Sequence, residues 1–206
     1  SVYTALIGSI VIFFGAYLVE KGRGFSFGRN TFHAVAMIPL AVPGMALGLA
    51  YIFFFNNPNN PLSFLYGTMG ILVISTITHF YTVSHLTATT ALKQMDQEFE
   101  SVSASLKTPF FRSFQKITVP ICMPAILDIS VYLFLNAMTT VSAVIFLYSA
   151  NTRLASVAVL NMDDQGELAM AAAMAMMIAY TCGGVRILYA IGTKNILAKT
   201  QRWRAK

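Results

Sequence analysis

The sequence predicts an all-α, polytopic membrane protein built as a five-transmembrane-helix bundle. Three observations carry that prediction. Hydrophobic residues make up 56% of the 206 residues and charged residues 11%, against about 45–50% and about 25% in soluble domains. Five apolar runs approach the length of a span. The basic residues cluster between those runs on one side.

A span needs roughly 20 apolar residues, because the hydrocarbon core is about 30 Å thick and a helix rises about 1.5 Å per residue. The runs are 2–19, 34–55, 65–86, 119–148 and 168–191. The fourth exceeds what a bilayer needs, which predicts tilt, a kink or an extension beyond the lipid. The chain opens directly in an apolar helix, with no initiator Met, basic region or small-residue cleavage site. The expectation is a segment of a longer chain, with residues 1–206 as one transmembrane domain.

The net charge of +6 does not point to nucleic acid, because charges are sparse and lie between apolar runs. Lys21, Arg23 and Arg29 follow run one; Lys93, Lys107, Arg112 and Lys116 lie between runs three and four; Lys194, Lys199, Arg202, Arg204 and Lys206 follow run five. These twelve of fourteen basic residues share one side, leaving Arg153 opposite and Arg186 inside run five. Cytoplasmic loops collect Lys and Arg. The segment therefore begins outside and ends inside, with 87–118 a cytoplasmic loop and 56–63 and 149–167 facing outward.

Cys122 and Cys182 lie in or beside apolar runs and read as free thiols. His33, His79 and His85 are scattered, and no metal-ligand spacing is present. The Met-rich stretch near 170–177 reads as packing, not as a metal box. No cofactor is expected. No Gly-x4-Gly-Lys-Ser/Thr loop is present to cradle ATP phosphates, so any ATP-derived energy comes from a partner. An enzyme would need clustered His, Asp or Glu at the interface, and the sequence has none. A secondary transporter or channel would need intramembrane acids, of which Asp128 alone fits.

The 87–118 loop is long for a connection and reads as two short helices. Phe99, Val102 and Leu106 form one apolar stripe, and Phe110, Phe111, Phe114 and Ile117 a second. The break lies at Lys107–Pro109, with Thr108 as cap and Pro109 in the first turn. Pro120 then opens run four. The stripes either pack on the bundle or lipid interface, or dock into a groove on a soluble partner.

The stretch Met95-Asp-Gln-Glu-Phe-Glu-Ser-Val-Ser-Ala-Ser-Leu-Lys-Thr-Pro-Phe-Phe-Arg-Ser-Phe-Gln-Lys-Ile-Thr-Val-Pro120 resembles the coupling loop of binding-protein-dependent ABC importer permeases. The family pattern is Glu-Ala-Ala, three residues, Gly, nine residues, then an aliphatic-x-Leu-Pro ending. Ile117-Thr118-Val119-Pro120 meets the ending. Ser101, Val102 and Ser103 stand at the Glu-Ala-Ala positions and Lys107 at the glycine. The Pro/Gly-broken run Ile38-Pro-Leu-Ala-Val-Pro-Gly-Met-Ala-Leu-Gly-Leu is also similar to the family. So are Thr139-Thr-Val-Ser-Ala-Val-Ile-Phe-Leu-Tyr and Leu154-Ala-Ser-Val-Ala-Val-Leu-Asn-Met-Asp-Asp, which point to the ferric iron and 2-aminoethylphosphonate branch. Ser-Ala-Ser-Leu-Lys and Leu160-Asn-Met-Asp-Asp tilt the reading toward the phosphonate.

The resemblance implies an importer-type permease bundle with cytoplasmic coupling helices, a non-catalytic subunit in a bacterial inner membrane. Its implied partners are ABC ATPase subunits, a second permease domain and a periplasmic substrate-binding protein. It places ATPase coupling on Glu98, Glu100, Ser101, Ser103, Ala104, Leu106, Lys107, Pro109, Phe110, Phe111, Phe114 and Pro120. Lys107 either sits in an altered turn or pairs with an acid on the partner. Glu98 and Glu100 are either solvated or paired with basic groups there.

Pro39, Pro43, Gly44 and Gly48 interrupt run two, as a packed kink or as a pore-lining element. Ser75, Thr78, His79, Thr82 and His85 share one helical face, and Asn136, Thr139, Thr140 and Ala143 share another. They serve as interhelical glue, as translocation path, or as both. The candidate path set is Pro43, Gly44, Ser75, His79, Thr82, Asn136, Thr139 and Thr140. Asp128 costs about 2.5–3.5 kcal/mol at membrane depth and must face the bundle or water; it either pairs with Arg186 or leaves that residue to snorkel. The apolar segment 154–161 reads as an outer-surface helix, with Asp163, Asp164 and Glu167 capping run five.

Overall fold

A computed structural model describes residues 1–22, 26–96, 98, 99, 105, 108–149 and 152–200. The described chain is helical, with five candidate spans once bent helix pairs are joined. Helix α1 spans Val2–Lys21 and α9 spans Leu168–Thr200. The other three spans are broken.

α1 has 20 residues, a length that matches the hydrocarbon thickness. It buries Thr4, Ala5, Gly8, Ser9, Ile12, Phe13, Ala16 and Tyr17, neighbouring pairs recurring once per turn. Gly8 lets α1 approach closely: a Cβ there would lie 2.6 Å from Leu133 Cδ1 and 3.1 Å from Ile77 Cγ1.

Run two becomes α2 (Ser26–Ala41) and α3 (Gly44–Phe55), bent by 108°. Four residues were expected to interrupt this run, but Pro39 and Gly48 lie inside helices. The break falls at Val42–Pro43 alone. A residue before proline is pushed out of the α region, and Pro43 then caps α3.

Run three becomes α4 (Met69–His79) and α5 (Tyr81–Lys93), bent by 59° at Phe80. No proline marks this bend. The Thr76 and Thr78 hydroxyls donate to the Leu72 and Ile74 carbonyls just before it, a bonding pattern that bends helices. Residues 87–93, expected in the cytoplasmic loop, continue α5.

Run four also departs from expectation. Helix α6 (Phe110–Ile121) carries a π turn at Phe114–Thr118 and meets α7 (Met123–Thr139) at 75°. Pro109, not Thr108, holds the α6 cap position. Pro120 lies within α6, so the span proper opens at Met123. α7 stops at Thr139, and 140–149 runs on as buried irregular turns with Ala143, Val144 and Leu147 at the centre. Thr140 and Ala143 therefore do not share a helical face with Asn136 and Thr139. The helix expected near 154–161 is α8, Ala155–Asp164; it takes in Asp163 and Asp164 at its own C-terminal end, so these two do not cap run five as expected.

Two cores result. Ile12, Phe13, Ala16 and Tyr17 of α1 pack with Ala88, Leu92, Cys122, Ile129 and Leu133. Phe55, Ile71, Leu72, Val144, Leu147 and Val157 form the other, where α3, α4 and α8 close around the 140–149 turns. Cys122 and Cys182 are free thiols.

Candidate functional site

At the α2–α3 corner irregular backbone is closely packed. A Cβ on Gly44 would meet Ser142 Oγ at 2.4 Å and His79 Cε1 at 3.0 Å, and one on Gly48 would meet the Ala143 carbonyl at 3.1 Å. The Ser75 hydroxyl donates to that carbonyl at 2.9 Å, and Ser156 donates to Thr140 O at 2.8 Å. Side-chain hydroxyls thus satisfy carbonyls that lack a helical ladder, as backbone at membrane depth requires. His79 Nδ1 is buried with no hydrogen-bond partner among the described residues.

The candidate path residues divide accordingly. Pro43, Gly44, Ser75 and His79 meet at this corner, joined by Ser142. Ser75 is fully buried in helix packing. Thr82, also buried, donates to Ala36 O at 2.7 Å and ties α5 to α2. Thr78 shares a 2.9 Å hydrogen bond with the Tyr51 hydroxyl. Asn136 and Thr139 bond back to their own helix, at Tyr132 O and Leu135 O, and Thr139 is exposed. Thr140 contributes its carbonyl to Ser156.

A second polar feature escaped the sequence reading. An open groove of about 450 Å³ between α5 and α7 is lined by Val83, Leu86, Thr87, Thr90, Ala91, Gln94 and Ala125. Thr87, Thr90 and Gln94 recur at i, i+3 and i+7, a signal that was available. It went unread because those residues were assigned to a loop.

Asp128 and Arg186 both stand at the protein surface within their helices. Tyr189 joins them, its hydroxyl donating to the Asp128 carboxylate and its ring lying 5.5 Å from the Arg186 guanidinium carbon. The sequence reading named both charges and missed this aromatic link.

On the coupling side, Glu100, Ser101, Ser103, Ala104, Leu106 and Lys107 lie outside the described residues. Glu98 is exposed, its N–H donating to Asp96 Oδ1 at 3.0 Å. Pro109 and Pro120 are exposed. The second aromatic stripe splits. Phe114 turns to α1, with ring centroids 4.6 Å from Tyr17, 5.5 Å from Phe14 and 6.1 Å from Phe13. Phe110 touches Tyr17 at 4.8 Å yet remains 44% exposed, and Phe111 is 57% exposed. One helix therefore packs on the bundle and also presents an apolar edge. The histidines expected to be scattered are not all so: His33 and His85 meet across 3.3 Å.

Comparison with known proteins adds a family to this geometry. Residues 7–196 match the family described as binding-protein-dependent transport system inner membrane component. The ferric transport system permease protein FbpB of Actinobacillus pleuropneumoniae is 35% identical over 170 residues, 82% of this chain and 23% of that protein. A putative ferric transport system permease protein, FbpB 1 of Haemophilus influenzae, is 36% identical over 155 residues, 74% of this chain and 24% of its own length. The putative 2-aminoethylphosphonate transport system permease protein PhnV of Salmonella typhimurium is 26% identical over 148 residues, 70% of this chain and 53% of its own. The chain thus spans about a quarter of the length of the ferric relatives. A match covering nearly the whole chain, on a bundle of broken apolar helices, establishes that it belongs to the binding-protein-dependent transport system inner membrane components.

Proposed function

We propose that this chain is the non-catalytic permease domain of an ATP-binding-cassette importer in a bacterial inner membrane, with the N-terminus of the segment outside. It pairs with a second permease domain, sits over two ATPase subunits and receives cargo from a periplasmic binding protein. ATP-driven closure of the ATPase subunits moves α6, the bundle alternates between outward and inward access, and cargo passes the α2–α3 corner. One observation carries this reading: α6 leaves α7 at 75° with Phe111 exposed, while Phe114 on the same helix is packed into α1. Such a helix can take a push from outside the bilayer and deliver it to the bundle.

Ferric iron is the favoured cargo and 2-aminoethylphosphonate the second. The ferric relatives' 35–36% identity against 26% supports this order, which reverses the tilt taken from the loop variant. The test is ATP-dependent uptake of labelled ferric iron and labelled 2-aminoethylphosphonate by the full importer, with Phe111→Asp as control. Burying that charge should cost about 2 kcal/mol of docking, roughly thirtyfold in affinity, and abolish uptake while the bundle stays folded. Unchanged uptake and ATPase binding would remove the docking role.

A further inference from the structure

Three ionisable side chains from three helices meet near the end of α1. His33 Nε2 on α2 lies 3.8 Å from Glu20 Oε2 on α1. His33 Nδ1 lies 3.3 Å from His85 Nε2 on α5. His85 is fully buried, and its Nδ1 has no hydrogen-bond partner among the described residues. The Tyr81 ring stacks on it at 5.6 Å and the Phe32 ring lies at 5.6 Å. Among the described residues no three His, Cys, Asp or Glu side chains converge to hold a metal ion. Glu20 approaches the outer nitrogen of His33, away from His85.

Other charged and titratable groups on the surrounding helices are few. α1 adds Lys21, Tyr17, which packs on Phe110 and Phe114, and Tyr3 at its far end, and α2 adds Arg29. α5 supplies Tyr81 and, at its far end, Lys93. α4 supplies His79, whose ring packs on Phe80. On α7, Asp128 is taken by Tyr189 and Tyr132 packs on Phe80. Glu20 is the carboxylate in contact with the imidazole pair.

The spacing limits how many protons the pair can hold. With both imidazoles neutral, one N–H fills the gap between them. One added proton gives His33 an N–H on each nitrogen, one aimed at Glu20 and one at the His85 lone pair. A second added proton sets two N–H groups head to head, with one carboxylate facing two imidazolium charges. At 3.3 Å that arrangement repels. α2 is also tied to α5 by the Thr82 hydroxyl on Ala36 O, one turn along from His33, and by the Phe32 ring against His85. Beyond Ala36, α2 runs to the Val42–Pro43 corner.

We propose that Glu20, His33 and His85 form a proton-binding site that latches α2 to α5, and that protonation of both imidazoles opens the latch. This goes beyond the importer reading and is tested without reference to uptake, so either idea can fail alone. Spin labels go on Val35 of α2 and Leu86 of α5, both exposed, in the full chain held in lipid nanodiscs. Inter-label distances are compared at about pH 8 and about pH 4, the lower value set below the range of free imidazole because burial and the first charge oppose the second proton. The expected result is one short distance at the higher pH and an added longer population in acid. His33→Gln, which keeps hydrogen-bonding groups but cannot titrate, should abolish the acid population. Glu20→Gln, which retains both imidazoles, should move the midpoint of release to lower pH, because no carboxylate then favours proton uptake. A distance that ignores pH, or an acid population that survives His33→Gln, overturns the latch. An unmoved midpoint in Glu20→Gln overturns it too, and needs no histidine replaced.

Discussion

α1 and α9 cross the same membrane and are treated oppositely by the fold. Both are unbroken helices, with mean hydropathy of 2.1 and 1.7 over their most apolar windows, yet 44% of the first window is buried and 6% of the second. Hydropathy measures transfer from water to lipid, and in lipid an apolar side chain gains little by exchanging acyl chains for a neighbouring helix. Small residues do not decide the matter either. A Cβ on Gly8 of α1 would meet Leu133 and Ile77, whereas one on Gly183 or Gly184 of α9 would meet nothing of another helix within 4 Å among the described residues. A small residue permits close approach, and a helix must be there to make it.

The comparison can be broken most forcefully at its centre. Ile12→Ala removes a fully buried side chain from the core that α1 shares with α5 and α7 and should cost about 2–3 kcal/mol, from lost packing with little transfer term added. Ile187→Ala, 61% exposed on α9, should change stability by under about 0.5 kcal/mol. Equilibrium unfolding of the purified chain in detergent measures both, and equal losses would mean that the burial asymmetry is not felt energetically.

A smaller effect sharpens the same contrast for polar groups. Ser75→Ala strands the buried Ala143 carbonyl, which should cost about 1–3 kcal/mol, seen as a lowered unfolding midpoint. Smaller still is Tyr189→Phe, which deprives exposed Asp128 of its donor but keeps the ring beside Arg186. A loss of about 1 kcal/mol or less is expected in the same assay. A larger loss would show that α9 is fastened to α7 chiefly through this polar link.

The five spans were legible because apolar length is a bulk property of the sequence. Their breaks were legible only where one residue dictates the backbone. Pro43 did so, with Val42 forced out of the helix; Pro39 did not, and α2 runs through it. The Phe80 bend and the end of α7 at Thr139 have no proline or glycine to announce them. They arise from hydroxyls bonding to carbonyls along and across helices. Ser75 and Ser156 find their partner carbonyls only in three dimensions. The aromatic stripe at Phe110, Phe111 and Phe114 was visible as a stripe, but its division between α1 and open surface depends on where Phe14 and Tyr17 stand, residues far away in sequence. The pairing of His33 with His85, far apart in sequence, was likewise invisible.

The π turn at Phe114–Thr118 amounts to one surplus residue wound into a helix. An α-helix advances about 100° per residue. The wide turn takes that residue up: its five residues turn the chain about as far as four in ordinary winding, so the segment upstream keeps its bearing, Phe111 included. Excising one residue within the wide turn would therefore leave Phe111 facing outward, whereas one residue added in the ordinary winding beyond it would swing that side chain by about 100°.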